Sequence, residues 1–255
     1  DVLADLIAHL LLIGANAGLD ILFAILGNVQ CSHEHGDTGF IGGEKCHCFK
    51  KMQMQFIYQQ SHLGRIVRTQ NFDHFDLTRF DDRELIDGAG GKTNRQYMAE
   101  VRDLLLDWTQ HFDERHGNVI LMGNPGTGKT FLINCVAKAL MDSYHSVIYF
   151  TSTDLFDSFS RALRHDVEEQ EETEDAIMNC DLLVIDDLGT EMNNSYTTSR
   201  LFYVLNQRMV LHKSVMISTN LNFRAMQDRY SDRIVSRIMA EYDYIPLYGV
   251  DQRLR

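Results

Sequence analysis

The sequence predicts an α/β protein, a parallel sheet flanked by helices, preceded by a small N-terminal helical and cysteine-bearing module. Three observations carry that expectation. Short apolar runs recur at Val119 to Met122, Val147 to Phe150, Leu182 to Ile185, Val215 to Ser218 and Tyr244 to Leu247, each of a length that suits a buried strand. Stretches with apolar residues at helical spacing alternate with them, as parallel strands joined by crossover helices require. The first run leads directly into Gly123-Asn124-Pro125-Gly126-Thr127-Gly128-Lys129-Thr130, which satisfies the pattern G-x-x-x-x-G-K-[ST] at each required position.

Composition sets the outer bounds. The 255 residues, 44% hydrophobic and 24% charged, suit a globular domain of ordinary size with a smaller appendage. Asp and Glu outnumber Lys and Arg by 36 to 24, so no global positive field draws the chain to nucleic acid, and any such contact must be a local patch. Five cysteines, an odd number with three clustered at Cys31, Cys46 and Cys48, argue against a secreted disulfide scaffold and for a reduced, cytoplasmic setting. The chain begins at Asp1 rather than Met, so targeting is not read from its start.

The chain is expected to divide into an N-terminal interaction module over 1–70, a linker over 71–93 and a nucleotide-binding domain over 94–255. Leu6 to Leu26 is apolar over a membrane-spanning length but is interrupted by His9, Asn16 and Asp20, with a turn-like Gly14-Ala15-Asn16-Ala17-Gly18 in the middle. Asp20 would be costly at depth and no basic flank follows, so a partner-binding helical hairpin is preferred to a membrane helix. Cys31, Cys46 and Cys48 supply three of the four ligands that tetrahedral zinc needs, and the fourth must be His33, His35 or His47; the alternative is a set of free thiols. Lys50 to Arg68 reads as a mixed helix, Asn71 to Leu77 as an aromatic-studded extended segment, and Asp87-Gly88-Ala89-Gly90-Gly91 as the flexible break before the main domain. Tyr97, Val101, Leu104, Leu105, Trp108 and Phe112 fall on one face of an amphipathic helix. The acidic run Asp166 to Asp175 reads as a solvated loop or helix end.

In the glycine loop, residues without a Cβ let the backbone curl so that successive N–H groups point at a polyphosphate. The N-terminus of the helix that follows adds partial positive charge to the same spot. Lys129 is placed to reach the β/γ-phosphates, and the Thr130 hydroxyl to ligate Mg²⁺. Leu182 to Asp187 is an apolar strand ending in two carboxylates, and the carboxyl end of such a strand lies beside the phosphate loop. Asp186 then holds Mg²⁺ through water, while Asp187 orients or polarises the attacking water. Asn220, at the end of Val215 to Thr219, is a candidate sensor of the γ-phosphate, against the plainer reading of an Asn that starts a turn. Arg233 and Arg237 share a helical face and either can project across a subunit interface to stabilise charge on the departing phosphate; ion pairing with Asp228 or Asp232 is the alternative.

The phosphate loop, Leu-Leu-Val-Ile-Asp-Asp-Leu-Gly-Thr-Glu over 182–191, Ser-Thr-Asn-Leu over 218–221 and the arginine-bearing helix together resemble the DnaC/DnaI-type replicative helicase loaders of the AAA+ class, from Phe72 to the C-terminus. Asp37 to Ile41 and Lys45 to Cys48 resemble, more loosely, the zinc-binding N-terminal module of Gram-positive-type loaders. The resemblance implies a bacterial or phage protein that binds the hexameric replicative DNA helicase through its N-terminal part and delivers that ring to single-stranded DNA under ATP control. It implies an ATP/ADP and Mg²⁺ site formed by Gly123, Asn124, Pro125, Gly126, Thr127, Gly128, Lys129, Thr130 and Phe131. Arg237 best matches the family's finger and Arg233 comes second. Tyr248 to Arg253 resembles the family's short ending, in which Arg253 contacts the nucleotide. Self-association through the ATPase domain follows from the same likeness.

Two departures qualify it. Such knuckles usually have Cys-x-x-Cys, whereas this chain has Cys31 and then Glu34, so His35 or His33 must complete a zinc site with Cys31, Cys46 and Cys48. Asp187 stands where many AAA+ enzymes carry Glu and is one methylene shorter, so slow basal hydrolysis is expected, accelerated by partner or DNA. For single-stranded DNA contact the sequence offers the helix from Thr153 to His165, expected to be capped near Ser152 or Thr153, with Phe156, Phe159 and Leu163 packed and Arg161 and Arg164 at its end beside His165; a solvated helix end is the alternative. Two other functions fit the same core. A transposition helper ATPase of the IstB type handles duplex target DNA, and the cysteine knuckle argues against it. An adaptor that binds ATP without significant hydrolysis is the other.

Overall fold

The computed structural model describes residues 40–41, 44–45, 68–115, 117–162, 174–249 and 251, with the backbone alone at 40, 41, 44, 45, 161 and 162. The chain divides into two units, residues 1–60 and 61–255. In the first, strands β1 (Phe40–Ile41) and β2 (Glu44–Lys45) form a short antiparallel pair with Phe40 opposite Lys45. The apolar stretch Leu6 to Leu26 and the zinc candidates Cys31, His35, Cys46 and Cys48 lie outside the described residues. No helix among the described residues is long and apolar enough to cross a membrane.

The second unit is built on five parallel strands in the order β4-β5-β6-β3-β7, where β3 is Asn118–Gly123, β4 Val147–Thr151, β5 Leu182–Leu188, β6 Ser214–Thr219 and β7 Tyr242–Leu247. All five apolar runs are therefore strands. β3, β5 and β6 are near-continuous apolar sequences because helices cover both faces of the sheet. Alternation decides which face each residue serves: Val119 and Leu121 enter one core, Ile120 and Met122 the other. The first core takes in helices α1 (Asn94–Gln110) and α2 (Lys129–Asp142); the second takes in α3 (Ser152–Ala162), α4 (Ser195–Val210), α5 (Phe223–Arg229) and α6 (Asp232–Glu241).

Helix α1 starts at a capping box, in which the Thr93 hydroxyl accepts the Gln96 N–H and the Gln96 side chain accepts the Thr93 N–H. Its buried stripe is Met98, Val101, Leu105 and Trp108. Leu104, expected on that face, is 55% exposed, since the stripe that α2 covers is narrower than the sequence suggests. Helix α3 begins one residue earlier than expected. Thr151, rather than Ser152 or Thr153, supplies the hydroxyl that accepts the Asp154 N–H, at 3.1 Å. Leu155, Phe156 and Phe159 are its buried face, and Leu163 lies outside the described residues.

The stretch expected to be a linker is folded. Residues Phe72–His74 and Leu77–Arg79 form 3-10 turns capped by the side chains of Asn71 and Asp76. Phe75 and Phe80 stack with centroids 5.6 Å apart, both buried, and Phe75 meets the edge of Phe131 on α2. The aromatics that make the segment conspicuous in the sequence are core residues of the α/β unit. Burying two phenyl rings holds the chain onto α2, which a solvated linker could not do. Ala89, inside the glycine-rich break, is buried as well.

Arg208, near the end of α4, is fully buried and carries no carboxylate partner among the described residues' ion pairs. Its Nη1 donates to the carbonyls of Ile177 and Met178 at 2.6 and 3.2 Å and to Cys180 Sγ at 3.1 Å, and Nη2 to the carbonyls of Cys180 and Ser214 at 3.0 and 2.6 Å. One guanidinium thus ties α4 to the chain entering β5 and β6. Arg208→Met removes it and strands several buried carbonyls, and urea unfolding is expected to show a loss of roughly 3 kcal/mol or more. An unchanged midpoint would contradict this account.

Candidate functional site

The carboxyl ends of β3, β5 and β6, neighbours in the sheet order β5-β6-β3, bring the sequence-predicted residues together. β3 ends at Gly123, where an added Cβ would stand 2.4 Å from the Leu247 carbonyl of β7, so only glycine permits the pairing to run on to that point. The loop then turns through Gly126 at φ 75° and Gly128 at φ 99° into α2. Thr127, buried, closes the curl by donating to the Asn124 carbonyl at 2.9 Å. Gly128 heads α2 and has no side chain to cap its first-turn N–H groups, which leaves them for an anion.

Lys129 is 4% exposed, and its Nζ donates to the carbonyls of Gly123 and Asn124 at 2.7 and 2.8 Å and to Asn220 Oδ1 at 2.7 Å. The ammonium therefore joins the phosphate loop to the end of β6, and Asn220 stands where a group beyond the loop meets it. Asp186 is 3% exposed and accepts three hydroxyls. Thr130 Oγ1 lies 3.1 Å from Oδ2 and 3.3 Å from Oδ1, Tyr149 OH lies 2.6 Å from Oδ2, and Ser218 Oγ donates to Oδ1. Burial, together with the negative charge of Asp186, pushes the Tyr149 phenol far up, so it stays protonated as a donor. Ser218 accepts the Asp187 N–H at 2.9 Å with the same oxygen that donates to Asp186. Neither Tyr149 nor Ser218 was singled out by sequence reasoning for this contact. Ser218 stands two residues before Asn220 on an apolar strand, a signal present in the motif, whereas Tyr149 reads as an ordinary strand aromatic.

A cleft of about 740 Å³ opens over these groups. It is lined by Pro125 to Phe131 of the loop and α2 (Thr127 excepted), by Asp186, Asp187 and Asn220 at the strand ends, and by residues of the segment from Thr69 to Phe80. In that segment Gln70 Oε1 accepts the buried Asn134 Nδ2 at 2.7 Å. Nothing in the local pattern of residues 69–80 marks them as lining the site, because the packing of Phe75 and Phe80 brings them there.

The donor set fits a magnesium–nucleotide. Uncapped amides face the loop, one ammonium stands beside it, and a hydroxyl and a carboxylate lie 3.1 Å apart at its end. Thr130 and Asp186 would hold the cation, directly or through water.

The other predicted residues are spread more widely. Arg233 is exposed on α6. Arg237 packs within its own chain: its guanidinium lies 5.1 Å from the Phe202 ring centroid and donates to Asn206 Oδ1, both on α4. Arg161 belongs to the last turn of α3, with only its backbone described, and Arg164 and Arg253 lie outside the described residues.

Residues 92–253 match the family described as IstB-like ATP binding protein. The chain belongs to that family. Its sequence is 23% identical to the Replicative helicase loader DnaC of Escherichia coli strain K12 over 189 residues, 74% of this chain and 71% of that protein. Among solved structures, the DnaC helicase loader superposes with a TM-score of 0.56 at 20% identity, covering 72% of this chain and 99% of that one. DnaI superposes at 0.55 with 21% identity, covering 74% and 93%. The two superpositions establish a shared fold, a five-stranded parallel sheet flanked by helices, and the sequence matches make this chain a member of an ATP-binding family with DnaC-type relatives.

Ser218 is the residue on which both carboxylate-bearing positions lean. Ser218→Ala removes a donor from Asp186 and an acceptor from the Asp187 N–H. The expected cost in urea unfolding is roughly 2 kcal/mol, with weaker magnesium-dependent nucleotide binding; wild-type values in both measurements would show that the hydroxyl is dispensable.

Proposed function

We propose that this chain is an ATP-dependent loader that binds a hexameric replicative DNA helicase and delivers it to single-stranded DNA when replication is initiated. The observation that carries the reading is the meeting of Lys129, Asn220, Thr130 and Asp186 at three adjacent strand ends under one cleft, in a chain whose relatives include a replicative helicase loader. The loop amides and Lys129 grip the phosphates of ATP. Bound Mg²⁺ supplies charge neutralisation for the β/γ-phosphates. Asp187, which lines the cleft, orients the attacking water, and Asn220 reports whether the γ-phosphate is present through its bond to Lys129. Arg237 or Arg233 serves a neighbouring subunit of a self-associated form; Arg237 would first have to leave Phe202 and Asn206. Hydrolysis is slow and acts as a switch. The N-terminal unit holds the helicase, with Cys31, His35, Cys46 and Cys48 as its zinc ligands.

The family description favours a second reading, a transposition helper ATPase of the IstB type acting on duplex DNA. Capture of the host replicative helicase by the full chain, lost without residues 1–70, supports the loader; preference for duplex over single-stranded DNA with no helicase capture supports the helper.

Calorimetry with ATP and magnesium tests the site itself. Lys129→Ala is expected to weaken binding at least about tenfold, while Asp187→Asn keeps binding within about twofold and loses most hydrolysis. Negligible hydrolysis by the wild type, with ATP still bound and Asp187→Asn no different, would leave an ATP-binding adaptor. For DNA, changing Arg161 and Arg164 together to Ala is expected to weaken single-strand binding and lower the slope of log affinity against log salt by about 1 to 1.5. An unchanged slope would remove that helix end from the DNA path.

A further inference from the structure

One carboxylate that follows β5 does not line the cleft. Glu191 lies three residues past the end of β5, with its side chain only 2% exposed. Its Oε2 accepts the Gly189 N–H at 2.9 Å, and its Oε1 accepts Tyr230 OH at 2.5 Å and Arg229 Nε at 3.3 Å. Its backbone carbonyl accepts Arg229 Nη2 as well. A buried carboxylate is costly unless its lone pairs are met, and here a neighbouring amide of its own turn and the neutral and charged donors of one distant segment, 229–230, meet them.

The turn fastened in this way is an unusual one. Asp187 has φ 54°, a left-handed conformation that is unfavourable for a residue with a Cβ and persists where the surroundings impose it. The Asp187 carbonyl accepts the hydroxyls of Ser152 and Thr190 at 3.0 and 2.9 Å, and its N–H goes to Ser218. Gly189, at φ 110°, lies so close to Leu221 that an added Cβ would stand 2.6 Å from Leu221 Cδ1. Leu221 follows Asn220 directly. Asn222 then caps α5, whose last residue is Arg229, with Tyr230 next. The chain from Asn220 to Tyr230 thus leaves the turn at Leu221 and returns to it at Glu191, making a closed ring of contacts around the backbone that carries Asp187.

We propose that Glu191 is a positioning residue for Asp187: its buried carboxylate clasps Gly189, Arg229 and Tyr230 and so holds the left-handed turn from which Asp187 faces the cleft. This rests on the reading of Asp187 as the group that orients the attacking water. Without the clasp, the turn loses its hold on the α5 side and Asp187 relaxes toward an ordinary strand conformation, whereas the phosphate loop, fastened by Thr127 and Lys129, keeps its shape.

The experiment compares the full chain with Glu191→Ala, Glu191→Gln and Tyr230→Phe by nucleotide affinity, single-turnover hydrolysis and amide hydrogen exchange. Glu191→Ala is expected to lower the hydrolysis rate at saturating ATP at least about tenfold with Kd for ATP within about twofold, and to speed exchange at 188–190 while 119–122 keeps its protection. Glu191→Gln, which retains an acceptor for Gly189, recovers part of the rate. Tyr230→Phe keeps the ring and removes one donor, so a smaller fall in rate at constant Kd is expected, and this variant decides the matter if Glu191→Ala does not fold. Affinity and rate falling together in every variant, or wild-type exchange at 188–190 in both Glu191→Ala and Tyr230→Phe, would overturn the proposal. If the wild-type chain binds no nucleotide, the proposed function fails, and exchange in the nucleotide-free proteins still decides whether Glu191 holds the turn.

Discussion

The site depends on one buried carboxylate. Asp186 sits at the end of a central strand with almost no access to water, where an unsatisfied negative charge would be destabilising. It is tolerated because three hydroxyls from three other elements converge on it: Thr130 from α2, Tyr149 from β4 and Ser218 from β6. That convergence fixes the relative depth of the phosphate helix and the two neighbouring strands. The alignment of loop, acidic pair and Asn220 follows from it.

Lys129 adds a second tie of the same kind, between the loop and the end of β6. Its ammonium donates to the Gly123 and Asn124 carbonyls and to Asn220 Oδ1, all uncharged oxygens, and an incoming phosphate offers each of these bonds a stronger, charge-assisted replacement. The site is thereby preorganised around a cation whose partners can be exchanged without rebuilding the sheet. Arg208 plays a purely structural part at the opposite end of β5 and β6, where it satisfies buried carbonyls instead of ligands. Buried cations at the two ends of the sheet thus differ in what they face: a ligand cleft in one case, a closed core in the other.

Much of this was legible beforehand, for identifiable reasons. The strands announced themselves because sheets covered on both faces need unbroken apolar runs, and Leu182 to Ile185 has no other plausible place. The phosphate loop and the acid pair were legible because their chemistry tolerates few residue types. The segment 71–93 reads as a linker in the sequence and is folded in the structure, since turn-forming Asn71, Asp76 and Gly88 to Gly91 look the same whether the intervening Phe75 and Phe80 are solvated or buried. Spacing alone puts Leu104 on the core face, whereas α2 covers a narrower stripe of α1 than the apolar face offers. The shared helical face of Arg233 and Arg237 said nothing about Phe202 and Asn206, which lie on α4 and occupy only the second of the two.

By itself, the sequence determined the order of strands and helices, the curled loop and the presence of an acidic pair at a strand end, because these rest on local periodicity and on residues whose stereochemistry admits few conformations. Only the tertiary structure decided which hydroxyls hold Asp186, that residues 69–80 wall the cleft, and that Glu191 turns inward to meet Arg229 and Tyr230. Those contacts join positions far apart in the chain, and the free energy that selects them comes from burial and hydrogen bonding across elements, which no local pattern records.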